Sequence, residues 1–420
     1  MRKFLLAVTA CAAPLALAHP ALAAPGDPVK VSDSVTIDPI VEARLRYESV
    51  NQDNALDSAD ALTLRMRAGA EVKTSSGFSL LGEAEGTLAL IDNYNAFPFV
   101  IADSQRRPGY SVVPDPMNVE INRLQLQYKS KAVTLTVGRQ RINLDDQRWV
   151  GAVGWRQNEQ TFDAARGEAK IGPVSLDATY AISQRTIFGF EGGPRNAFEG
   201  NFMLLGAGAK LGPVNLKAFA YLLNYDLAEQ GGALAVAMAD TQTYGVRATT
   251  SLPLSKTLKL NLAASYAKQS DYKHAPVDFS ADYIAIEGGL GFKQLGVLAG
   301  WEKKGSNNGR AVQTPMATLH KFDGWADLFL VTPATGLEDL YAGATYKFDK
   351  VKAVSGLNAA VTYHQFRSDV GDIKFGTEWD ASLGFKLGRV SLLAKYADFN
   401  AKTLGFVDTR KFWLQAEIAF

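Results

Sequence analysis

Cysteine is almost absent from this sequence, because Cys11 is the only one in 420 residues. It lies in the N-terminal stretch that we interpret below as a leader, so the exported chain would carry none. This excludes disulfide bonds, a thiolate nucleophile and a cysteine metal site in the mature protein. Histidine is also scarce, and the four histidines show no metal-ligand spacing. We therefore predict neither a metal nor another cofactor.

A charge excess and long apolar runs are missing as well. The 44 basic and 43 acidic residues leave a formal net charge of +1. This balance argues against a nucleic-acid binder, which would carry a strong basic excess. After the N-terminus, no stretch stays apolar for the roughly 20 residues that a membrane helix needs. By hydropathy alone, the mature chain would pass for a soluble protein.

The N-terminus changes that interpretation. The chain starts with Met-Arg-Lys, residues 4–17 are mostly apolar or small, and Ala21-Leu22-Ala23 matches an A-x-A cleavage site. These features predict a secretory signal peptide over residues 1–23, followed by a periplasmic segment over residues 24–38. A lipoprotein signal ending at Cys11 is the alternative, but it would be very short and would not explain the later cleavage site.

The rest of the chain has a hydrophobic period of two residues. In residues 62–71, for example, apolar side chains alternate with polar or small ones. Such a period gives each strand one apolar and one polar face. About 18 segments of this kind occur, which suits strands that cross a bilayer at a tilt. They begin near Ile40, Leu62, Phe78, Val119, Val133, Thr161, Val174, Asn201, Val214, Thr243, Leu258, Tyr283, Gly296, Leu337, Leu357, Phe375, Val390 and Thr409.

The connections between these segments are alternately short and long. The long ones predicted are 92–116, 143–159, 186–198, 227–238 and 305–335. Strict sorting by length indicates an up-and-down meander, whereas a β-sandwich or a propeller would not sort its turns in this way. We predict an all-β, transmembrane antiparallel β-barrel over residues 39–420, with short periplasmic turns and long extracellular loops.

The last segment is amphipathic and ends in the C-terminal residue Phe420. A final strand that ends in phenylalanine resembles the assembly signal of bacterial outer-membrane barrels. We therefore expect the chain to reside in the bacterial outer membrane, with membrane lipid and the barrel assembly machinery as partners.

The polar faces of the strands would line the lumen. The predicted lumen cations are Arg44, Arg46, Arg65, Arg67, Arg123, Arg166, Arg247 and Lys395, and the predicted carboxylates are Glu42, Glu83, Glu85, Glu287, Glu302, Glu378, Asp380 and Glu417. Two interpretations stay open. These charges could only neutralise each other across strands, or the cations could form a basic constriction that favours anions. No nucleophile elbow is present, so no enzyme activity is predicted.

Several motifs resemble the alginate export family of outer-membrane barrels. They are Gly138-Arg139-Gln140, Arg148-Trp149-Val150-Gly151, Trp155-Arg156-Gln157, Thr161-Phe162-Asp163-Ala164, and the segments RLRYE from Arg44 and LRMR from Leu64. The resemblance implies an 18-stranded barrel with a pore lined by basic residues, and the type member passes an acidic polysaccharide out of the cell. It adds Arg139 to the candidate lumen cations. Alternation alone would put Arg139 on the lipid face, unless Gly138 introduces a bulge.

The polar loop over residues 143–159 is too long for a simple reversal. We predict that it folds inward over the pore mouth. Trp149 and Trp155 would anchor it there, while Arg148, Arg156 and Gln157 would bond to carboxylates of the wall. Two functions remain open. One is export or diffusion of an anionic, alginate-like saccharide, and the other is general or substrate-specific uptake of small solutes, including small anions.

Overall fold

A computed structural model describes residues 27–226, 239–349 and 351–420. The predicted signal peptide and the predicted loop 227–238 lie outside these residues. Eighteen antiparallel strands form one barrel. They are β1 Val35–Gln52, β2 Ala59–Thr74, β3 Phe78–Asn93, β4 Asn118–Lys129, β5 Val133–Gln140, β6 Thr161–Ile171, β7 Val174–Arg185, β8 Ala197–Leu211, β9 Val214–Tyr225, β10 Thr241–Pro253, β11 Leu258–Asp271, β12 Ser280–Phe292, β13 Leu295–Lys304, β14 Leu337–Lys347, β15 Ser355–Arg367, β16 Lys374–Leu387, β17 Val390–Ala401 and β18 Thr409–Ala419.

The barrel closes because its first strand pairs with its last. The register of β1 with β18 runs from Glu42 opposite Ala419 to Gln52 opposite Thr409. Closure pairs the backbone groups of both edge strands, as a barrel in lipid requires. A short strand, Val29–Ser32, also pairs with β1. The barrel thus starts at Val35, somewhat before the predicted boundary at residue 39.

Each predicted strand start falls within or at the start of an observed strand, so the predicted architecture is confirmed. Short turns lie at one end of the barrel and the longer loops at the other. Two of the long loops carry small elements. These are the 3-10 helix Phe190–Arg195, the paired strands Ser306–Asn307 and Arg310–Ala311, and the 3-10 helix Leu319–Lys321. No helix in the described ranges is long and apolar enough to cross a membrane.

The outer face of the barrel is apolar. On β4 and β5, for instance, Leu124, Leu126, Leu135 and Val137 are each at least half exposed. A water-soluble barrel would turn such residues inward, since each buried aliphatic side chain contributes roughly 1.5–3 kcal/mol. Their outward position is the pattern of a wall that contacts lipid.

The buried residues lie inside the barrel, where three long loops fold in. We name them the first loop (94–117), the second loop (141–160) and the third loop (305–336). Their apolar residues form three clusters with the inner wall, around Phe97, Val150 and Phe329. The lumen is therefore largely occupied by the protein's own loops, and their polar contacts with the wall define the candidate site.

Candidate functional site

An arginine wall lines β1 and β2. Arg44 and Arg46 on β1 alternate inward, as do Arg65 and Arg67 on β2. Arg44 Nη2 lies 3.1 Å from a Glu417 carboxylate oxygen. Arg65 Nη2 lies 3.1 Å from the same oxygen and 3.2 Å from Glu42 Oε2. Because these partners sit on adjacent strands, the alternation alone brings them together.

The wall continues on β3 and β4. Arg67 bonds to Glu85, and Arg123 Nη2 lies 2.6 Å from Glu83 Oε2. Glu159, from the second loop, lies 3.3 Å from Arg67 Nη2 and so joins the loop to the wall. Each of these cations thus has a carboxylate neighbour, as the charge-neutralising interpretation expected.

Some guanidinium groups of this wall nevertheless keep unused donors. Arg65 is fully buried, and its Nε and Nη1 find no acceptor within the described residues. Nη1 of Arg46 is in the same position, although Asp115 Oδ2 lies 3.7 Å away. Buried donors without acceptors are costly, so these groups are able to bind a carboxylate that comes within reach.

The second loop spans the lumen and is tied to it by two arginines. Arg156 Nη1 lies 2.9 Å from Glu48 Oε2 on β1, and its Nη2 lies 3.0 Å from Asp327 Oδ2 on the third loop. Arg148 is placed in the same way: it bonds to Glu302 on β13 and lies 3.0 Å from Asp323 Oδ2.

The electrostatics of these two arginines favour the ionised state. Burial alone would lower the pKa of Arg148, but Asp323 and Glu302 outweigh it and raise that pKa. The pKa of Arg156 is raised in the same way, with burial opposed by Glu48, Asp115 and Asp327. Both cations therefore stay charged while they hold the loop.

Apolar and amide contacts complete the docking of the second loop. The Trp149 ring packs 5.1 Å from the Tyr283 ring and 5.8 Å from the Phe219 ring. Gln157 bonds through Nε2 to Thr63 Oγ1 at 2.8 Å, and not to a wall carboxylate as predicted. The Glu48 carboxylate on β1 accepts from Arg156 instead.

The third loop is held by wall residues on β13 and β16. The backbone N–H of Trp325 donates to Asp380 at 3.2 Å, and that of Ala326 donates to Glu378 at 2.8 Å. Lys304 on β13 lies 2.7 Å from Asp323 Oδ2. The two loops are also bonded to each other, from Gly151 N–H to the Met316 carbonyl at 2.8 Å.

Lys395 on β17 does not line an open pore, because the loops cover it. Its Nζ lies 3.6 Å from the Trp325 ring centroid and 4.1 Å from that of Trp155. It also lies 5.4 Å from the ring of Trp413 on β18. Nζ donates to His320 Nε2 at 2.7 Å, and the Nδ1 of His320 donates to Asp327. We call Lys395, His320, Trp155, Trp325 and Trp413 the tryptophan box.

Arg139 is the candidate cation that the structure places elsewhere. The register between β4 and β5 runs without a shift and sets Arg139 opposite Leu124, which is 52% exposed on the outer face. Gly138 has a φ of +113°, and a Cβ there would lie 2.3 Å from the Leu124 carbonyl oxygen. Glycine is therefore required at this position, but it causes no bulge. Arg139 pairs on the outside with Asp163, at 2.8 Å, so its prediction as a lumen cation is wrong.

Another predicted cation lines a cavity of about 410 Å³ that reaches the periplasmic turns. Arg166 lines it and bonds to Glu168 at 2.8 Å, while Lys217 lies 3.0 Å from Asp177. Arg247 lies on the neighbouring wall and pairs with Asp146 of the second loop at 2.8 Å. The tip of that loop thus reaches the far side of the lumen.

Unusual backbone conformations are concentrated in the two docked loops. Val153 has a φ of +52°, and Asp145, Gln147, Asp323 and Asp327 are also in the left-handed region. For a β-branched residue this conformation is strained, and strain of this kind is kept where the surroundings enforce it. The ion pairs of Arg148 and Arg156 are such an enforcement.

Sequence reasoning missed the loop residues that receive the wall groups. Asp323 and Asp327 form ion pairs with arginines and lysines, and His320 and Trp325 belong to the tryptophan box. The only signal was the unusual number of aromatic and acidic residues between 320 and 329 in a loop. Within the described ranges, no group of three or more potential ligands is arranged to hold a metal ion.

Comparison with known proteins agrees with the β-barrel described above. A sequence model of the family described as alginate export matches residues 90–296, just under half of the chain, and confirms the resemblance. No curated protein matches at a significant level.

Similar solved structures share the fold at low identity. OpdL from Pseudomonas aeruginosa aligns with a TM-score of 0.66 and 15% identity, covering 91% of this chain and 98% of that one. OccAB3 from Acinetobacter baumannii gives 0.69 and 15%, covering 91% and 99%. OpdK from P. aeruginosa, solved with vanillate, gives 0.67 and 14%, covering 91% and 99%. With the family match and the apolar outer face, they indicate a porin-like barrel of the bacterial outer membrane.

Proposed function

We propose that this outer-membrane barrel is a substrate-specific uptake channel for small organic anions, in preference to an exporter of an acidic polysaccharide. The observation that carries the proposal is the crossing of the lumen by the second and third loops. Arg148 and Arg156 tie these loops to each other and to two separate parts of the wall, on β13 and β1. A polymer chain needs a continuous wide path, whereas a small solute needs only a gap beside the loops.

The solute class follows from the donors that remain. Arg65 carries guanidinium N–H groups without acceptors next to the half-buried carboxylates of Glu42 and Glu417, and Arg46 carries one near Asp115. A guanidinium binds a carboxylate through two parallel hydrogen bonds, which gives it a geometric preference that a lysine lacks. Carboxylates are therefore the anions that this wall suits best. OpdK, one of the similar structures, was solved with vanillate, which is an aromatic carboxylate.

The competing function is export of an alginate-like polymer, which the family match favours. Reversal potentials in planar bilayers under a salt gradient would test the charge preference, and we expect anion selectivity. Liposomes should also take up benzoate-sized carboxylates faster than neutral sugars of equal mass. Clear cation selectivity would contradict the proposal, and passage of alginate oligomers at the rate of monomers would favour export.

Arg65→Gln is the variant that tests the site itself. It removes the charge but keeps an amide that can bond to Glu42, so the barrel should still fold. We expect weaker carboxylate uptake with unchanged sugar uptake. The matched control is Arg139→Gln, which removes an arginine from the outer face of the same barrel and should leave both rates unchanged.

A further inference from the structure

The tryptophan box differs from the other contacts that buried wall lysines make with the loops in the described residues. The buried wall lysines Lys304 and Lys411 reach loop carboxylates, at 2.7 Å and 3.2 Å. Lys395 is just as buried, yet in the described part of the chain no carboxylate oxygen lies within 4.0 Å of its Nζ. Its charge is met by aromatic faces and one imidazole nitrogen. Such surroundings are those of a site that recognises an ammonium ion.

The geometry of the box is that of a built site. Trp155 and Trp413 stand at 76° to each other, with ring centroids 5.8 Å apart. His320 stacks on Trp155 at 4.5 Å and 6°, which orients its Nε2 toward Lys395. The hydrogen bond to Asp327 fixes the tautomer that leaves this nitrogen free to accept. The other face of Trp155 is shielded by Arg46, whose Cζ lies 4.1 Å from the ring centroid.

The rings of the tryptophan box come from both loops and from the wall. Trp155 belongs to the second loop, Trp325 and His320 belong to the third loop, and only Trp413 and Lys395 belong to the wall. Lys395 and Trp413 sit opposite each other in the register of β17 and β18, so the wall part of the box is rigid. The ammonium group of Lys395 therefore contacts both loops from the wall, through Trp155 of the second loop and Trp325 and His320 of the third.

We propose that Trp155, Trp325 and Trp413 form an ammonium-binding box, filled from the wall by Lys395, and that this tethered cation holds both inward loops closed. The ligand class of the box is a primary alkylammonium ion. The inference requires the barrel to be a channel, but it does not depend on which solute passes.

A buried cysteine can report loop opening without any measurement of transport. Ala326 on the third loop is 1% exposed, and the sequence has no cysteine other than Cys11. A326C in a C11A background should react slowly with a membrane-impermeant maleimide. Adding Lys395→Ala should raise the labelling rate at least about tenfold. Millimolar propylammonium, which replaces the atoms that the substitution removes, should restore slow labelling, whereas propanol should not.

Three controls make the result decisive. Ala61→Cys, buried at 1% on β2, should stay slow in every variant and so reports general loosening. Lys395→Met keeps the side-chain volume without the charge, and it should also open the loops. Trp325→Leu combined with Lys395→Ala should abolish rescue by propylammonium. Unchanged labelling of A326C in Lys395→Met, or equal rescue by propanol, would overturn the proposal, whatever the ion selectivity of the channel.

Discussion

Two neighbouring parts of the inner wall hold their charges in different ways. On β1 to β4, the arginines are paired mainly with carboxylates of neighbouring strands, such as Arg44 with Glu417 and Arg123 with Glu83. On β16 to β18, the wall groups are paired with the third loop, as in Glu378 with the Ala326 N–H and Lys411 with Asp327. The β1–β4 part therefore keeps its strand-to-strand ion pairs when the loops move, although Arg44 and Glu48 also contact the second loop. The β16–β18 part would lose the loop partners of Glu378 and Lys411. The two parts thus differ in how far their charge pairing depends on the docked loops.

Arg156 gives the largest expected effect, because it belongs to the docking contacts. Arg156→Met leaves the buried carboxylates of Glu48 and Asp327 without this cation, and losing one partner of a buried ion pair costs about 3–5 kcal/mol. We expect this loss in urea unfolding in detergent micelles, followed by tryptophan fluorescence. The comparison variant Arg44→Met removes a partner of Glu417, which is partly exposed and keeps Arg65, so it should cost less than Arg156→Met even though Arg44 also bonds to second-loop carbonyls. Equal losses would erase the distinction between the two parts of the wall.

His320 should make the docking of the third loop on the wall sensitive to pH. Burial lowers the pKa of His320 well below its usual value, and Lys395 and Arg156 add to this effect, although Asp327 opposes it. The unfolded chain, with a histidine pKa of about 6.5, then binds the proton more readily than the folded one. Stability from this group is present above pH 6.5 and is lost as the pH falls below it, by up to about 1.4 kcal/mol per pH unit.

The variant His320→Gln tests this, since glutamine can accept from Lys395 and donate to Asp327 without titrating. Stability of the parent chain should fall between pH 6.5 and 5, and that of the variant should fall less over this range. The carboxylate of Asp327 does not blur the comparison. Burial opposes ionisation there, but His320, Lys411 and Arg156 keep its pKa well below the usual value. A variant as pH-sensitive as the parent would refute the assignment to His320.

Val153 tests the strain in the docked loops. With φ at +52° it should be relieved by glycine, so Val153→Gly is expected to stabilise the barrel by about 1 kcal/mol. Val153→Ala keeps a Cβ and should gain much less. Heat-modifiable migration on gels and the urea midpoint would both report the change. Destabilisation by glycine would mean that the valine side chain contributes more by packing than the strain removes.

Arg65, on the β1–β4 part of the wall, should give the smallest change in stability. The Arg65→Gln variant should lower the permeability ratio of chloride to potassium severalfold, while the free energy of unfolding measured in urea falls by about 1 kcal/mol or less. The reason is that Glu42 and Glu417 keep Arg67 and Arg44 as partners. A large stability loss without a change in selectivity would show that the arginine wall is only structural.

Much of the fold was predictable because a barrel in lipid obeys a local rule. Alternation decides which residues face inward, as Arg44, Arg65 and Glu417 show, and adjacent strands then pair them. Arg139 follows the same rule on the outer face. The register of β4 with β5 has no shift and places Arg139 outside, as alternation alone predicts. The structure shows no bulge at Gly138. The inward course of the second loop was also predictable from its composition, although its role in transport stays a prediction.

By itself, the sequence determined the strands, their faces and the closure of the barrel, because a period of two residues and alternating loop lengths are local properties. Only the tertiary structure decided which loop groups meet the wall. Asp327 meets Arg156, His320 meets Lys395, and Gln157 bonds to Thr63 in place of a carboxylate. These partners are distant in sequence, and their encounter depends on how two irregular loops share one lumen, which no local pattern encodes.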